Sequence, residues 1–387
     1  MSTTEQRAHA LLSPSSACRW LACTPSARLE DKFPGVDTPA TIEGTRAHAW
    51  AEYQLCLAQG LKDGPSLGDL FEGDLDMVTY AESYAEFVGG LVGIARATSP
   101  DAEVLTEVPL DLTSYVPEGF GTADAVIVGD GCLYVIDYKY GKGVSVSAER
   151  NPQMMLYALG VLDLFEMVYD IQMVSLNIYQ PRIHNISSYD ITVSELKQWA
   201  EEVLKPTAQR AFLGEGEVVT GPHCRFCKAS AVCRQQAKEG VSLFERLSRK
   251  SSEVLSSEEV AEVLSAREQI TAWLKSVEDY ALQQAIAGEP IQGYKVVAGR
   301  AIRRYSDADA VEARLLENGY DAALIYRPRE LLTISEMEKL LKKSNFATLL
   351  GDLVTKPEGK PTLVPDSDPR PALSPTVSAI NDFENIQ

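Results

Sequence analysis

The chain has 387 residues and an acidic composition, with 36 Lys and Arg against 55 Asp and Glu and a net charge of −19. At roughly 100–200 residues per domain this length fits two or three domains, and 45% hydrophobic residues exclude a globally disordered, collagen-like or disulfide-scaffold protein. The sequence holds no apolar run long enough for a membrane span and no apolar signal core near its start, so we expect a cytoplasmic protein without a membrane partner. The net negative charge is typical of proteins that do not bind nucleic acid through a broad surface.

Residues 1–240 alternate between helical and strand patterns. In chain order we predict a short helix within 13–23, helices over 41–57 and 74–97, strands over 103–110, 122–128 and 132–138, a helix over 149–165, a strand over 171–179 and a helix over 193–213. This order predicts an α/β domain with a central mixed β-sheet flanked by helices.

The pattern changes after residue 240, so residues 241–354 are predicted to form a helical and small α+β region. It contains a long helix over 256–286, a short hairpin over 293–305, and helices near 307–317 and 335–343. Residues 355–387 are rich in proline and are predicted to be an extended or disordered tail.

Two aspartates come together if the hairpin between the second and third strands closes with a two-residue turn at Asp130-Gly131. Gly129 then pairs with Cys132, and counting back along both strands places Asp124 opposite Asp137 on one face of the sheet. Lys139 shares that face because side chains alternate along a strand. Like charges in an apolar sheet repel unless a cation lies between them, so this pattern favours a Mg²⁺ or Mn²⁺ site of the kind used in phosphodiester hydrolysis.

Three of the seven cysteines lie in a C-x2-C-x5-C run, formed by Cys224, Cys227 and Cys233. Clustered cysteines in a cytosolic protein indicate a metal or redox site. Cys23 or Cys18 would supply the fourth thiolate, and from spacing alone both zinc, with His223 adjacent, and an iron–sulfur cluster fit. Cys56 and Cys132 lie in apolar segments and are predicted to be buried small hydrophobic residues.

Four short motifs follow one another in an order that resembles a known nuclease family. They are E-G-T-R-A-H over 43–48, G-T-A-D over 121–124, D-Y-K over 137–139, and a Q-x-x-x-Y pair, Gln153 and Tyr157. The set resembles the PD-(D/E)XK core of the RecB-like branch. The cysteine run with Cys23 is similar to the split iron–sulfur staple of AddB-type nucleases. The resemblance covers about residues 10–240 and is greatest to phage-encoded recombination exonucleases.

This resemblance implies roles for the motif residues. It implies that His48, Asp124 and Asp137 bind the catalytic Mg²⁺ or Mn²⁺, with the backbone carbonyl of Tyr138 as a further ligand. Glu107 could join a second metal, although a surface strand charge is an equally good interpretation. Lys139 would orient or activate water, and Gln153 and Tyr157 would position water or the scissile phosphate. Cys23, Cys224, Cys227 and Cys233 would hold a structural 4Fe–4S cluster, with zinc as the alternative.

The implied activity is a metal-dependent DNA exonuclease that resects double-stranded ends for phage homologous recombination. It would act beside a single-strand-annealing or single-strand-binding protein in a bacterial or phage-infected cell, as a monomer or an oligomer. The alternatives are an endonuclease, an integration-type end-trimming nuclease, or an inactive DNA-binding protein stapled by its cluster or by zinc. Basic residues near the motifs, and two beyond them, are candidate DNA contacts: Lys142, Arg150, Arg182, Arg225, Arg303 and Arg304.

Overall fold

A computed structural model of the chain describes residues 10–33, 38–60, 75–248, 254–301, 303–327, 330–355, 359–365 and 369–373. The chain forms two compact units, the first ending at Trp273 and the second beginning at Leu274. Residues 1–240, the predicted nuclease domain, fall within the first unit.

The first unit is built on a five-stranded sheet in the order β1-β2-β3-β4-β5. The strands are β1 (Glu103–Asp111), β2 (Phe120–Val128), β3 (Gly131–Tyr138), β4 (Ile171–Gln180) and β5 (Asn185–Thr192). Strands β3 and β4 are parallel and the other neighbouring pairs are antiparallel, which confirms the predicted mixed α/β sheet. The sequence analysis missed β5, whose polar Asn-Ile-Ser-Ser start has weak strand character; it forms an edge strand with alternating exposure.

Helices of the first unit follow the predicted segments and add others. They are α1 (Ala17–Ala22), α2 (Ser26–Glu30), α3 (Pro39–Gln59), α4 (Leu75–Thr98), α5 (Pro152–Phe165), α6 (Val193–Trp199), α7 (Lys205–Leu213), α8 (Arg234–Ser248) and α9 (Ser257–Ile286), the last of which continues past Trp273. Helix α3 begins with a capping box between Thr38 and Thr41 and ends at Gly60, whose φ of 66° suits a left-handed cap. A five-residue π-helical segment, Ala200–Leu204, separates α6 from α7.

The sheet has a separate hydrophobic layer on each face. Helices α3 and α4 cover one face, where Tyr84 and Val88 pack with Ile136 and Tyr138. Helices α1, α5, α6 and α7 contribute to the layer on the other face, which includes Leu133 and Val135. Because Leu133 and Val135 alternate with Ile136 and Tyr138 along β3, the strand is buried on both sides, as expected for a central strand.

The N-terminal helices pack against the segment that leads into the cysteine run. Thr24 Oγ1 donates a 2.5 Å hydrogen bond to the carbonyl of Glu215, and Arg28 Nε donates one of 2.6 Å to the carbonyl of Phe212. The backbone amide of Lys228, inside the run, donates to Glu30 Oε1 at 2.8 Å. Distant parts of the chain are therefore joined here by ordinary hydrogen bonds.

The second unit has a helical core and short paired strands. Its remaining elements are β6 (Tyr294–Gly299), β7 (Arg304–Tyr305), α10 (Ala308–Glu317), α11 (Ala322–Ile325), β8 (Tyr326–Arg327), β9 (Glu330–Leu331), α12 (Ile334–Leu341), α13 (Lys343–Leu350), β10 (Val354–Thr355) and β11 (Gly359–Pro365). Among its buried residues, Val311 and Leu315 of α10 pack with Met337 of α12 and Phe346 of α13. None of the helices in the described ranges is both long and apolar enough to cross a membrane.

The prediction of a hairpin over 293–305 is wrong. Strand β6 pairs with β11, and β7 pairs with β10, so both halves of the predicted hairpin find partners from later in the chain. The tail predicted as extended or disordered supplies these partners in part, while residues 374–387 lie outside the described residues.

Candidate active site

The register of the β2–β3 hairpin agrees with the sequence analysis. The paired residues are Ala125 with Ile136, Val126 with Val135, and Ile127 with Tyr134. These pairs have the predicted register, although the hairpin forms no pair between Ile127–Tyr134 and its turn, and Gly131 pairs instead with Ile171 of β4. Asp124 and Asp137 are the next residues of the two strands beyond the Ala125–Ile136 pair.

Asp124 also has a second acidic neighbour across β1. Thr106 pairs with Ala125 and Val108 pairs with Ala123, so Glu107 and Asp124 lie between the same two pairs without forming a pair themselves. Glu107 has a φ of 47°, a left-handed conformation that is uncommon for a residue other than glycine. Such backbone outliers cluster at functional sites. Glu107, Asp124 and Asp137 lie on the three neighbouring strands β1, β2 and β3, and we call these three residues the acidic row.

His48 of α3 completes the acidic group. Its Nδ1 lies 3.4 Å from Asp124 Oδ2, and the backbone amide of Tyr138 donates a 2.8 Å hydrogen bond to the same oxygen. One ligand atom each from His48, Glu107 and Asp124 lies within 4.8 Å of the other two. Asp137 is outside that group, so the site contains a three-residue set, His48, Glu107 and Asp124, that could hold a metal, and Asp137 as a third acid.

The charges in this group shift the pKa values of its members. Burial lowers the pKa of His48, but the charge and hydrogen bond of Asp124 outweigh burial and raise that pKa to about 9. Burial, followed by the charges of Asp124 and Glu52, raises the pKa of Glu107 to about 7. Burial also acts to raise the pKa of Asp124, but His48 holds it below its usual value. His48 and Asp124 therefore form an ion pair when no metal is bound.

Asp137 is at the centre of a second network. Lys139 Nζ lies 2.9 Å from Asp137 Oδ2 and donates to Asp137 Oδ1 at 3.1 Å. Gln153 of α5 joins both partners: Nε2 donates to Asp137 Oδ1 at 3.0 Å, and Oε1 accepts from Lys139 at 3.1 Å. The same Gln153 Nε2 lies 3.1 Å from the hydroxyl of Tyr157, one helical turn later. Four residues that the motifs single out are thus joined by hydrogen bonds.

Burial and their opposite charges shift the pKa values of Asp137 and Lys139. Asp137 is 1% exposed, and burial raises its pKa although the Lys139 charge opposes the shift. Burial lowers the pKa of Lys139, but the charges of Asp137 and Asp124 outweigh burial and raise it, so this side chain is an ammonium. The Oδ2 atom of Asp137 is buried, and the Lys139 ammonium, 2.9 Å away, is the cation that faces it.

Gly121 of the G-T-A-D motif has a packing role. A Cβ atom at this position would lie 2.9 Å from Pro14 Cγ and 3.2 Å from Tyr157 Cε1. Pro14 begins the first helical turn of the chain, and Tyr157 ends the hydrogen-bonded network of Asp137. Only glycine allows β2 to approach both side chains this closely.

The donor set fits a hard divalent ion. Mg²⁺ and Mn²⁺ prefer carboxylate oxygens, and an imidazole nitrogen is compatible with Mn²⁺. Such an ion could be held by His48, Glu107 and Asp124. Asp137 lies on β3, the strand next to that of Asp124. The carbonyl of Tyr138 as a ligand stays a prediction.

The cysteines predicted to form a cluster lie in one region but not in a closed site. After burial, the charge of Cys233 raises the pKa of Cys23, and the charges of Cys233 and Cys23 raise the pKa of Cys224. Burial and the charge of Glu30 raise the pKa of Cys227 to about 12. Across the described parts of the chain, however, no three of these sulfur atoms lie within 4.8 Å of one another.

The other cysteines have different surroundings. Cys18 is exposed, and its charge contributes to raising the pKa of Lys139. Cys56 is buried, as predicted, whereas Cys132 is only half-buried because it follows the turn at the start of β3. The prediction of a fully buried Cys132 is therefore wrong.

The predicted DNA contacts have varied environments. Arg182 makes contacts within the protein: it forms an ion pair with Glu43 at 3.0 Å, and its guanidinium lies 4.4 Å from the centroid of the Tyr140 ring. Lys142, Arg150 and Arg225 are exposed in the first unit. In the second unit Arg303 and Arg304 are also exposed, and Arg303 pairs with Glu338 at 2.6 Å. DNA contact by any of these residues stays a prediction.

Sequence reasoning missed one residue near the acidic row, Tyr84 of α4. Its position follows the ordinary apolar spacing of that helix, so the pattern predicts only a core residue. Its relation to the carboxylates depends on how α4 packs against the sheet, which no local pattern reveals.

Comparisons with known proteins place the chain in a family but leave its activity open. The profile of a family described as protein of unknown function (DUF2800) matches residues 9–371, which is most of the chain. Among solved structures, the crystal structure of SSO0001 is similar over 55% of this chain and 94% of that chain, at 16% sequence identity and a TM-score of 0.23. A structural likeness at that TM-score does not indicate a function for this chain.

Proposed function

We propose that this chain, which belongs to the DUF2800 family, is a metal-dependent nuclease and acts as a DNA exonuclease on double-stranded ends. The observation that carries this proposal is the row of Glu107, Asp124 and Asp137 across three strands, with His48 at one end and the Asp137–Lys139–Gln153 network at the other. Acids that gather a metal beside a half-buried ammonium are what phosphodiester hydrolysis requires.

The metal chemistry would be supplied by Mg²⁺ or Mn²⁺ held by His48, Glu107 and Asp124, with Asp137 as a further ligand. When bound, such an ion polarises a phosphoryl oxygen and lowers the pKa of a coordinated water. The resemblance to the PD-(D/E)XK core supports the same assignment for His48, Asp124 and Asp137.

The chain's own residues would bind and orient the reacting groups. Lys139 carries its charge on an ammonium fixed between Asp137 and Gln153, and it would hold the attacking water or a phosphoryl oxygen by hydrogen bonding. Gln153 restrains Asp137 and Lys139 at once, which limits the geometries that the ammonium can adopt. Tyr157 supports the Gln153 amide and would contact the scissile phosphate or water.

The proposed substrate is DNA, and the acidic composition restricts how it binds. A net charge of −19 repels a polyanion except where local Lys and Arg line a groove. Exposed Lys142, Arg150 and Arg225 are suited to such a groove, and a bound divalent ion would offset the acidic row. A single-strand-annealing or single-strand-binding protein is the proposed partner, since resection produces single strands.

We further propose that Cys23, Cys224, Cys227 and Cys233 hold a structural 4Fe–4S cluster, with zinc as the alternative occupant. Three of these thiols influence one another electrostatically, which supports Cys23 over Cys18 as the fourth residue. The hydrogen bonds from Thr24 and Arg28 to the segment before the run support the same pairing of chain segments.

Digestion of labelled DNA tests the proposed activity. Wild type with Mg²⁺ or Mn²⁺ should degrade duplexes labelled separately at the 5′ and 3′ ends, and Asp124→Ala should be inactive. Asp279→Asn, in the exposed part of α9, serves as the matched control and should keep full activity. Equal activity of wild type and Asp124→Ala would refute this active site.

The form of the DNA separates exonuclease from endonuclease. An exonuclease needs an end, so covalently closed circles should resist digestion under conditions in which the linear form disappears. Cleavage of closed circles at a similar rate would replace the exonuclease proposal with an endonuclease.

A further inference from the structure

Tyr84 is a buried tyrosine of α4 that packs beneath the candidate active site. It is 2% exposed, and its ring centroid lies 4.9 Å from that of Tyr138 and 5.9 Å from that of Tyr179. The ring therefore has ample apolar contact in the layer between α4 and the sheet. A phenylalanine would make the same ring contacts, so packing alone gives no reason for the hydroxyl.

The Tyr84 hydroxyl has no hydrogen-bond partner among the described residues, although it is fully buried. Buried polar groups are nearly always paired, and one that is not calls for a functional or structural reason. After burial, the charges of Asp124, Asp137 and Glu107, in that order, contribute to raising the pKa of Tyr84 well above its usual value. The hydroxyl therefore stays protonated and is an unused donor. Tyr84 packs on the ring of Tyr138, which also contacts the His48 ring at 5.6 Å and whose backbone amide donates to Asp124 Oδ2.

A second buried tyrosine shows that this placement is specific. The Tyr138 hydroxyl is also buried without a hydrogen-bond partner in the described ranges. The largest charges that act on it belong to Tyr140, Tyr179, Arg182 and Tyr80, whereas the largest that act on the Tyr84 hydroxyl belong to the three acids. The two hydroxyls of this aromatic layer therefore have different electrostatic surroundings.

We propose that Tyr84 is a positioning residue for the metal-binding carboxylates, and that its hydroxyl donates a hydrogen bond to Asp124 when the site holds a divalent ion. The inference rests on the proposed metal-dependent function. Groups that donate to ligating carboxylates orient them, and their removal typically weakens metal binding by roughly 10–100-fold. Asp124 is one of the three residues that could gather the ion, and it accepts a hydrogen bond from the backbone amide of Tyr138, the residue on whose ring Tyr84 packs.

The variant Tyr84→Phe tests this inference because it removes one buried oxygen and keeps the ring. We expect the metal-free variant to melt at the same temperature as wild type or above it, since an unpaired buried hydroxyl is lost. Titration with Mn²⁺ should give a Kd raised about tenfold. The Mn²⁺-dependent rise in melting temperature should shrink accordingly. With labelled duplex, the lost activity should return at higher Mn²⁺ while the KM for DNA is unchanged.

Tyr305→Phe is the matched control, because the Tyr305 hydroxyl of the second unit is also buried without a hydrogen-bond partner within the described residues. Its Mn²⁺ affinity should equal that of wild type. If wild type binds Mn²⁺ and Tyr84→Phe binds it equally well, the role of Tyr84 is refuted while the proposed function stands. If wild type itself does not bind Mn²⁺, the proposed function and this inference both fail.

Discussion

His48 Nδ1 lies 3.4 Å from Asp124 Oδ2, so the residue proposed to ligate a metal is held by an ion pair when no metal is present. The pKa of His48 is raised to about 9, which means that the imidazole carries a proton at neutral pH. A protonated imidazole cannot bind a metal ion, so the ion has to displace that proton. This competition makes metal binding depend on pH.

We expect Mn²⁺ binding at pH 7 to release at least about one proton, because His48 is protonated and Glu107, with a pKa of about 7, is partly protonated. Affinity should therefore rise between pH 6 and pH 9, a range set by these two pKa values. Calorimetry in buffers of different ionisation enthalpy measures the release. His48→Gln should release about one proton fewer, and an unchanged count would contradict the assignment of His48.

The same shifts predict how the stability of the metal-free protein changes with pH. His48 has an ordinary pKa of 6.5 and a folded pKa of about 9, so its contribution to stability is complete below pH 6.5 and is lost as pH rises to about 9. The pKa of Glu107 is raised from 4.5 to about 7, so its contribution to stability is also lost as pH rises, over the range from 4.5 to about 7. Urea denaturation should show falling stability from pH 6.5 to pH 9. His48→Gln should flatten that slope.

Replacing Lys139 should separate catalysis from metal binding. Lys139→Met leaves Asp137 buried without its cation, which should lower the free energy of unfolding by about 3 kcal/mol. It should also reduce nuclease activity by about 100-fold or more. Mn²⁺ affinity should change little, because Lys139 is not among the three gathered ligands. In Lys139→Met combined with Asp137→Asn the lost stability should return while the activity stays low. Lys275→Met is the stability control, because it removes the exposed ion pair between Lys275 and Asp279 on α9.

Gly121→Ala should disturb the site through packing. The new Cβ would press on Pro14 at 2.9 Å and Tyr157 at 3.2 Å, so Tyr157 must move away from Gln153. We expect a destabilisation of about 1–3 kcal/mol, typical of overpacking, together with a lower kcat. Gly141→Ala, where a Cβ would meet nothing within 4 Å, should leave stability unchanged. Equal effects of the two substitutions would refute the close-approach argument.

The two N-terminal cysteines should behave differently. Cys23→Ser should lose the metal content of purified protein, expected as about four irons per chain or one zinc. Cys18→Ser should keep that content. Metal loss in Cys18→Ser with full metal in Cys23→Ser would reverse the assignment.

Local sequence patterns predict much of the first unit and part of its site. Turn chemistry at Asp130-Gly131 predicts the β2–β3 register that the structure has, although the pairs begin only at Ile127 and Tyr134. Asp124, Asp137 and Lys139 follow from that register. Gln153 and Tyr157 follow from helical spacing, one turn apart on α5.

Tertiary packing decides what no local pattern contains. Glu107 joins His48 and Asp124 because β1 pairs with β2 and bends at a left-handed residue, a relation between segments far apart in sequence. The packing of Tyr84 on Tyr138, the hydrogen bond that joins Glu30 to Lys228 in the cysteine run, and the pairing of β6 with β11 are of the same kind. The sequence by itself determines the elements and the hairpin, since these depend on neighbouring residues. The assembled site depends on contacts between segments far apart in sequence. Forming these contacts costs loop-closure entropy and requires the packing of the whole fold, which local patterns do not contain.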